Sequence, residues 1–269
     1  MSKLYLKNKA VKLYLGDSRK MNELVDDSID LIITSPPYWN LKNYKEGGQI
    51  GLGQSYEEYL LELEKVFKEC SRVLKLGCYF ALIVGTRVSD GEMKHIPSDS
   101  IGIVKKLNFT LRKEIIWTKP KGTQGLWQRG ATQFLKKKPY PRNANFNIQH
   151  EFILIFQKTG DQISDEKHQV KYKLTEDFIK EVCWSHWNIK VSRQKGHPAP
   201  FPHEIPHKLI KLYSYPGETV LDPFMGSGTT ALAAISLGRQ AVGYDISKSF
   251  CNLAVSNLTD VYEKNDHKK

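Results

Sequence analysis

The chain has 269 residues, 40% hydrophobic and 11% aromatic, a composition that suits a large globular core and excludes a disordered or fibrous protein. No apolar run approaches the roughly 18 residues of a membrane span, and Met1 to Lys9 lack the apolar core of a secretory signal, so a cytoplasmic protein without a membrane partner is expected. Net charge is +11, concentrated in residues 105–146, where eleven Lys/Arg face a single acid, Glu114.

Taken in order, the first expected strand is Val11–Leu15, closed by Gly16-Asp17. An acid just past a strand end serves either as a ligand-binding group or as a helix N-cap. A short helix is expected over Met21–Val25, then a buried parallel strand over Ile29–Thr34, apolar and rich in β-branched residues. Ser35-Pro36-Pro37-Tyr38 must end that strand, because each proline lacks an N–H and fixes φ. The result is a rigid extended loop carrying a hydroxyl, carbonyls and an aromatic face. That set can hold a planar ring and accept hydrogen bonds from its amino group. Gly47 to Gly53 is either a mobile lid or a connector.

Ser55 and Glu58 form a capping-box pair at the start of a long helix, with Tyr56, Tyr59, Leu60, Leu63, Phe67, Cys70 and Leu74 on its core face and Gly77 at its end. Strands are expected over Cys78–Val84, Phe109–Trp117 and Glu151–Phe156, with a helix over Asp99–Leu107. The basic stretch also holds Trp117, Trp127, Phe134 and Tyr140. Basic residues interleaved with aromatics suit a phosphate backbone and base edges, and a solvated loop would share the composition. Arg129, Lys136, Lys137, Lys138 and Arg142 are the candidate contacts to double-stranded DNA. Residues 121–146 and 161–196 read as surface insertions for target recognition in a single domain spanning 1–269.

The last third opens on His197 to Pro202, a proline-stiffened run ahead of a helix ending near Tyr215. Strand Thr219–Leu221 leads into Asp222-Pro223-Phe224-Met225-Gly226-Ser227-Gly228-Thr229-Thr230, an alanine-rich helix to Leu237, and a strand from Gln240 ending Tyr244-Asp245. A last helix covers Lys248–Asn257, with a frayed tail from Glu263. Strand, glycine turn, helix, strand, acid is the layout of a nucleotide-type pocket. Gly226 and Gly228 allow close backbone approach, the helix supplies N–H groups, and Asp245 is placed for ribose hydroxyls. No lysine follows Gly228, so the turn is no phosphate loop. Asp222 would repel a pyrophosphate and suits a cationic methionine moiety, which favours S-adenosyl-L-methionine. The fold expected is α/β, a doubly wound, mostly parallel sheet.

Thr34-Ser35-Pro36-Pro37-Tyr38-Trp39 resembles the catalytic motif of amino-group DNA methyltransferases, which act on cytosine N4 or adenine N6. Asp222 to Thr230 is similar to the cofactor motif of the same family. The resemblance implies a methionine-end wall at Phe201 and Pro202, a ribose acid at Asp245 and an adenine contact at Asp17. It extends to Leu74-Lys75-Leu76-Gly77, Ile116-Trp117-Thr118-Lys119-Pro120 and His150 to Leu154, and stops in the two insertions. The catalytic motif precedes the cofactor motif, as in the permuted β group of these enzymes; RNA and protein methyltransferases with the related Asn-Pro-Pro-Tyr motif normally have the opposite order. Serine at the first motif position implies cytosine N4, with adenine N6 as the alternative, and the family implies a possible cognate restriction endonuclease. None of Cys70, Cys78, Cys183 and Cys251 follows a proline, as a C5-cytosine nucleophile would. Cys183, His186, His197 and His203 lack paired ligand spacing, and no metal is expected. A non-catalytic DNA-binding protein is the other reading, but it would have no need of Ser35, Tyr38, Asp222 and Asp245 together.

Overall fold

The computed structural model describes residues 2–40, 47–89, 91–120, 148–160, 172–191 and 201–266. Eleven strands occur among them: β1 Lys3–Lys7, β2 Val11–Leu15, β3 Ile29–Thr34, β4 Leu74–Val84, β5 Arg87–Ser89, β6 Glu92–Lys94, β7 Phe109–Thr118, β8 His150–Lys158, β9 His186–Asn188, β10 Thr219–Asp222 and β11 Gln240–Asp245. Six helices join them: α1 Tyr56–Val73, α2 Ile96–Lys105, α3 Glu176–Val182, α4 Glu204–Tyr213, α5 Thr229–Ser236 and α6 Lys248–Asp266. Nine strands form one sheet in the order β1-β2-β11-β10-β3-β4-β8-β7-β9. The run β2, β11, β10, β3, β4 is parallel throughout. Strand β8 is antiparallel to both of its neighbours, β4 and β7.

The sheet is wound on both faces, as alternation along the strands requires. Leu31 and Ile33 face a core built with α4, α5 and α6, through Leu209, Ala233 and Ala254. Ile32 and Leu82 face the other core, with Leu63, Val66 and Phe67 of α1 and Val104 of α2. Every residue of β3 is buried, so the continuous apolar run is that of a central strand. Among the described residues, no helix is long and apolar enough to cross a membrane.

Several expected boundaries are corrected. Met21–Val25 forms turns instead of a helix. The Arg72 guanidinium takes the Met21 and Leu24 carbonyls, at 3.0 and 2.9 Å, which a growing helix would need. Helix α1 has its capping box, Ser55 Oγ accepting from the Glu58 amide, but ends at Val73 instead of Gly77. Leu74 turns extended and pairs with Ile29, and Gly77 sits inside β4 at φ 74°. Helix α2 starts at Ile96, three residues before Asp99, with His95 as its N-cap. Helix α6 continues past Asn257 to Asp266. Within the described part of 161–196, α3 spans Glu176–Val182 and β9 pairs with β7 at the edge of the main sheet.

Candidate active site

Four adjacent parallel strands end at one edge of the sheet, and each delivers one piece of the site. Strand β2 delivers Gly16-Asp17, β11 delivers Asp245, β10 delivers Asp222 and its glycine turn, and β3 delivers Ser35 and the two prolines. The chain runs outward in opposite directions from the β10–β3 boundary, and at such a reversal the loops part to leave a crevice. The glycine turn and the Pro-Pro loop therefore meet there although nearly 190 residues separate them.

Asp222 joins them. Its Oδ1 accepts from Thr34 Oγ1 at 2.7 Å and from the Phe224 amide at 3.0 Å, and its Oδ2 accepts from Thr230 Oγ1 at 2.6 Å. The residue is 2% exposed. Burial pushes its carboxyl up to about 6, against the three hydrogen bonds that favour the anion. Its bonds thus tie the last residue of β3, the turn and the first turn of α5 into one unit.

Beyond Asp222 the backbone forms a cradle. Gly226 and Gly228 have φ of 50° and 82°, a region in which side chains are strained. A Cβ on Gly228 would lie 3.1 Å from that of Ala254, and one on Gly243 would lie 2.5 Å from Met225 Sδ. Asp245 accepts from the Gly226 amide at 3.0 Å and from the Ser247 amide at 2.8 Å, which fixes the turn against the end of β11. Ser227 is buried, and its carbonyl accepts from Asn257 Nδ2 at 2.9 Å. Helix α5 opens at Gly228 with no side-chain cap and no acid in its first turn, leaving its N–H groups to a ligand. Open donors above glycines, with a carboxylate on the next strand, fit a nucleoside-bearing cofactor with a free carboxylate.

Asp17 lies beside Asp245, since the Gly16 amide donates to the Asp245 carbonyl at 2.9 Å. Arg19 Nε donates to both Asp17 oxygens at 2.9 Å. Burial opposes ionisation of Asp17, yet the Arg19 side-chain and backbone bonds win and hold its carboxyl below the ordinary value. Arg19 also contacts Glu62 of α1 and the Gly48 carbonyl. Phe201 packs partly buried on the core, and buried Pro202 accepts the Ile205 amide at 3.1 Å as α4 begins. Pro223 and Thr229 flank the glycine turn, and Phe224 packs partly buried over the α1-side core.

The Pro-Pro loop is braced from beneath. Tyr59 Oη donates to the Pro37 carbonyl at 3.0 Å, Trp39 Nε1 donates to the Gln54 carbonyl at 2.8 Å, and the Asn40 amide donates to the Gly51 carbonyl at 2.7 Å. Pro36 is buried while Ser35, Pro37 and Tyr38 are partly exposed. With Pro37 spoken for, the Ser35 and Pro36 carbonyls are the candidate acceptors for a substrate amine. The glycine stretch from Gly47 thus includes a brace at Gly51–Gln54, and Tyr59, expected only as core, supports the Pro-Pro loop through its hydroxyl. His197 to Pro200 and the candidate DNA contacts Arg129, Lys136, Lys137, Lys138 and Arg142 lie outside the described residues.

The family model for DNA methylases of the N6/N4 type matches residues 29–256. The type II methyltransferase M.MjaI of Methanocaldococcus jannaschii is 33% identical over 273 residues, covering 88% of each chain. Among solved structures, TTHA0409 of Thermus thermophilus complexed with S-adenosyl-L-methionine aligns at a TM-score of 0.72 and 28% identity, covering 91% of both chains. The cytosine-N4-specific PvuII DNA methyltransferase shares the fold at a TM-score of 0.69 and 20% identity, over 97% of this chain and 94% of that one.

Proposed function

From a chain that belongs to the N6/N4 DNA methylase family, we propose an enzyme that methylates the exocyclic N4 of cytosine at a specific site in duplex DNA, in a type II restriction-modification setting. S-adenosyl-L-methionine is the methyl donor, and when bound it supplies an electrophilic methyl group on a sulfonium. Gly226, Ser227, Gly228 and Thr229 would hold its methionine end near the open N-terminus of α5. Asp245 would take the ribose and Asp17 the adenine.

The chemistry asked of the chain is to make a poor nucleophile available. The lone pair of a base amine is conjugated with the ring. Ser35 Oγ and a carbonyl of the Pro-Pro loop accept its two hydrogens and draw the nitrogen toward a geometry with an accessible lone pair. Prolines suit the task, because a loop with fixed φ places those acceptors without reorganising. The base must leave the helix to reach the loop, and the Tyr38 ring gives it a stacking face in exchange for its neighbours.

The observation that supports this reading is the Thr34–Asp222 bond, which seats the Pro-Pro loop directly against the glycine turn. The choice of cytosine rests on Ser35, a neutral hydroxyl where adenine-specific relatives of the motif mostly carry Asp or Asn. DNA treated with the purified chain and cofactor, digested to nucleosides and read by mass spectrometry, should contain N4-methylcytosine. N6-methyladenine in its place would overturn the base assignment while leaving the reaction class standing. No methylated nucleoside at all would redirect the search to another acceptor.

A further inference from the structure

Past the Pro-Pro loop, the same sheet edge carries a cluster that the reading above leaves without a role. Strand β4 ends at Val84 and is followed by Gly85; β8 starts with His150-Glu151; β7 ends at Thr118, followed by Lys119. Because β8 runs opposite to both neighbours, its first residues and the last residues of β4 and β7 come to one level. Glu151 is paired with Lys119, with both side chains largely buried. The Lys119 ammonium also lies 4.9 Å from the centre of the Trp117 ring, and Trp117 Nε1 donates to the Ile189 carbonyl at 2.8 Å. The carboxylate is therefore held from behind.

In front of it lies the far end of Tyr38. A Cβ at Gly85 would stand 3.1 Å from Glu151 Cγ and 3.4 Å from Tyr38 Oη, so the two groups converge on a space that only glycine leaves open. The Tyr38 hydroxyl is buried beside the Glu151 carboxylate and the Gly85 backbone. Burial first, and the nearby Glu151 carboxylate second, keep the phenol protonated. A buried hydroxyl is costly unless an acceptor meets it, and the Glu151 carboxylate is the charged acceptor at hand.

Resting on the reading of this site as one that methylates a DNA base, we propose that Glu151 is a positioning residue that fixes the Tyr38 ring through its hydroxyl end. Gly85 provides the room and Lys119 keeps the carboxylate in place. The ring then presents one face to the extruded base at a set height, and the cost of aligning it is met before DNA arrives. Glu151 touches neither cofactor nor base in this arrangement; its effect travels through Tyr38 alone.

The test is a double-mutant cycle on the full chain, reading transfer from tritiated S-adenosyl-L-methionine to unmethylated genomic DNA, with melting temperature followed for each variant. Glu151→Gln should lower kcat roughly 5- to 10-fold, with KM for cofactor and DNA each within about twofold of wild type. In a Tyr38→Phe background the same change should cost less than about twofold, because the hydroxyl it acts on is gone. Losses that multiply independently, or an unchanged kcat in Glu151→Gln, would overturn the inference. Gly85→Ala gives a second route, because its Cβ would meet Glu151 Cγ at 3.1 Å and push the carboxylate off its position beside Tyr38. Its defect should shrink in a Tyr38→Phe background, where the carboxylate has no hydroxyl to hold, and an undiminished defect counts against the proposal. A wild-type chain that transfers nothing to DNA would sink the underlying reading and this inference together, whereas an active wild type with additive variants sinks the inference alone.

Discussion

Asp222 has the form of a ligand-binding acid and the surroundings of a structural one. Three donors converge on it, from Thr34, Phe224 and Thr230, and it is almost wholly buried. Asp222→Ala would strand two hydroxyls and one amide, a loss of about 3 kcal/mol in stability. Asp222→Asn keeps the shape: its oxygen can accept from Thr34 and Phe224 while its amide donates to Thr230. It also removes a buried charge, so it should fold at neutral pH with a melting temperature near that of wild type. The two proteins should diverge with pH. Burial raises the Asp222 carboxyl from 3.8 to about 6, so between these values the folded state binds a proton that the unfolded chain releases. Stability of wild type relative to Asp222→Asn should therefore rise as pH falls through about 6 toward 4. Thermal melts of both at pH 5 and pH 7.5 measure this, and a gap that moves the other way would show that the carboxyl is not held in its neutral direction. The acid itself is legible in the sequence as part of the cofactor motif, but its partners are not. Thr34 lies far away in the chain, and no local pattern reports a bond across that separation.

At the scale of elements, α1 has two duties. Its apolar face fills one core, and the hydroxyl of Tyr59 holds the Pro-Pro loop by the Pro37 carbonyl. The period of the apolar residues predicts which face is buried, and it is. Periodicity carries no information on where one phenolic oxygen points, so the second duty stays hidden. The junction with β4 resists a local reading for a related reason: Lys75 and Leu76 prefer helix as readily as strand, and the pairing of Leu74 with Ile29 decides the matter. Gly51 shows how tightly helix and loop are fitted. It has φ 84°, and a Cβ there would lie 3.1 Å from the Tyr59 ring and 3.3 Å from Trp39 Cα. Gly51→Ala should cost about 2 kcal/mol or more from the backbone strain and the crowding together. It should also slow methyl transfer, since the displaced groups are those that brace the Pro-Pro loop. Tyr59→Phe, which removes the loop bond without crowding, should cost about 1 kcal/mol and slow transfer in the same direction. Denaturant titration together with initial rates separates the two effects; a Gly51→Ala protein of wild-type stability would show that the helix and loop can yield.

At the scale of the whole molecule, the central strands and both motif loops are legible, because continuous β-branched runs, prolines and glycines speak locally. The three-residue β9 and the edge strand β1 are not, since such short segments join a sheet only through their neighbours. The charge distribution is legible too, and it makes a prediction. With ten of the eleven net positive charges falling in residues 105–146, the Lys136-Lys137-Lys138 run is the densest candidate for phosphate binding. Replacing all three by alanine should weaken DNA binding and flatten its salt dependence, by roughly 0.9 in log–log slope for each phosphate no longer neutralised. Fluorescence anisotropy across a salt series measures the slope, and an unchanged slope would remove this run from the DNA face. The bond between Thr34 and Asp222 matters at this scale as well, because it joins the proposed base-binding loop to the proposed cofactor turn. Free energy passed through it is reciprocal: the factor by which a bound methyl donor tightens DNA is the factor by which DNA tightens the donor. The order in which the two arrive is then a matter of rates, with neither partner holding thermodynamic precedence.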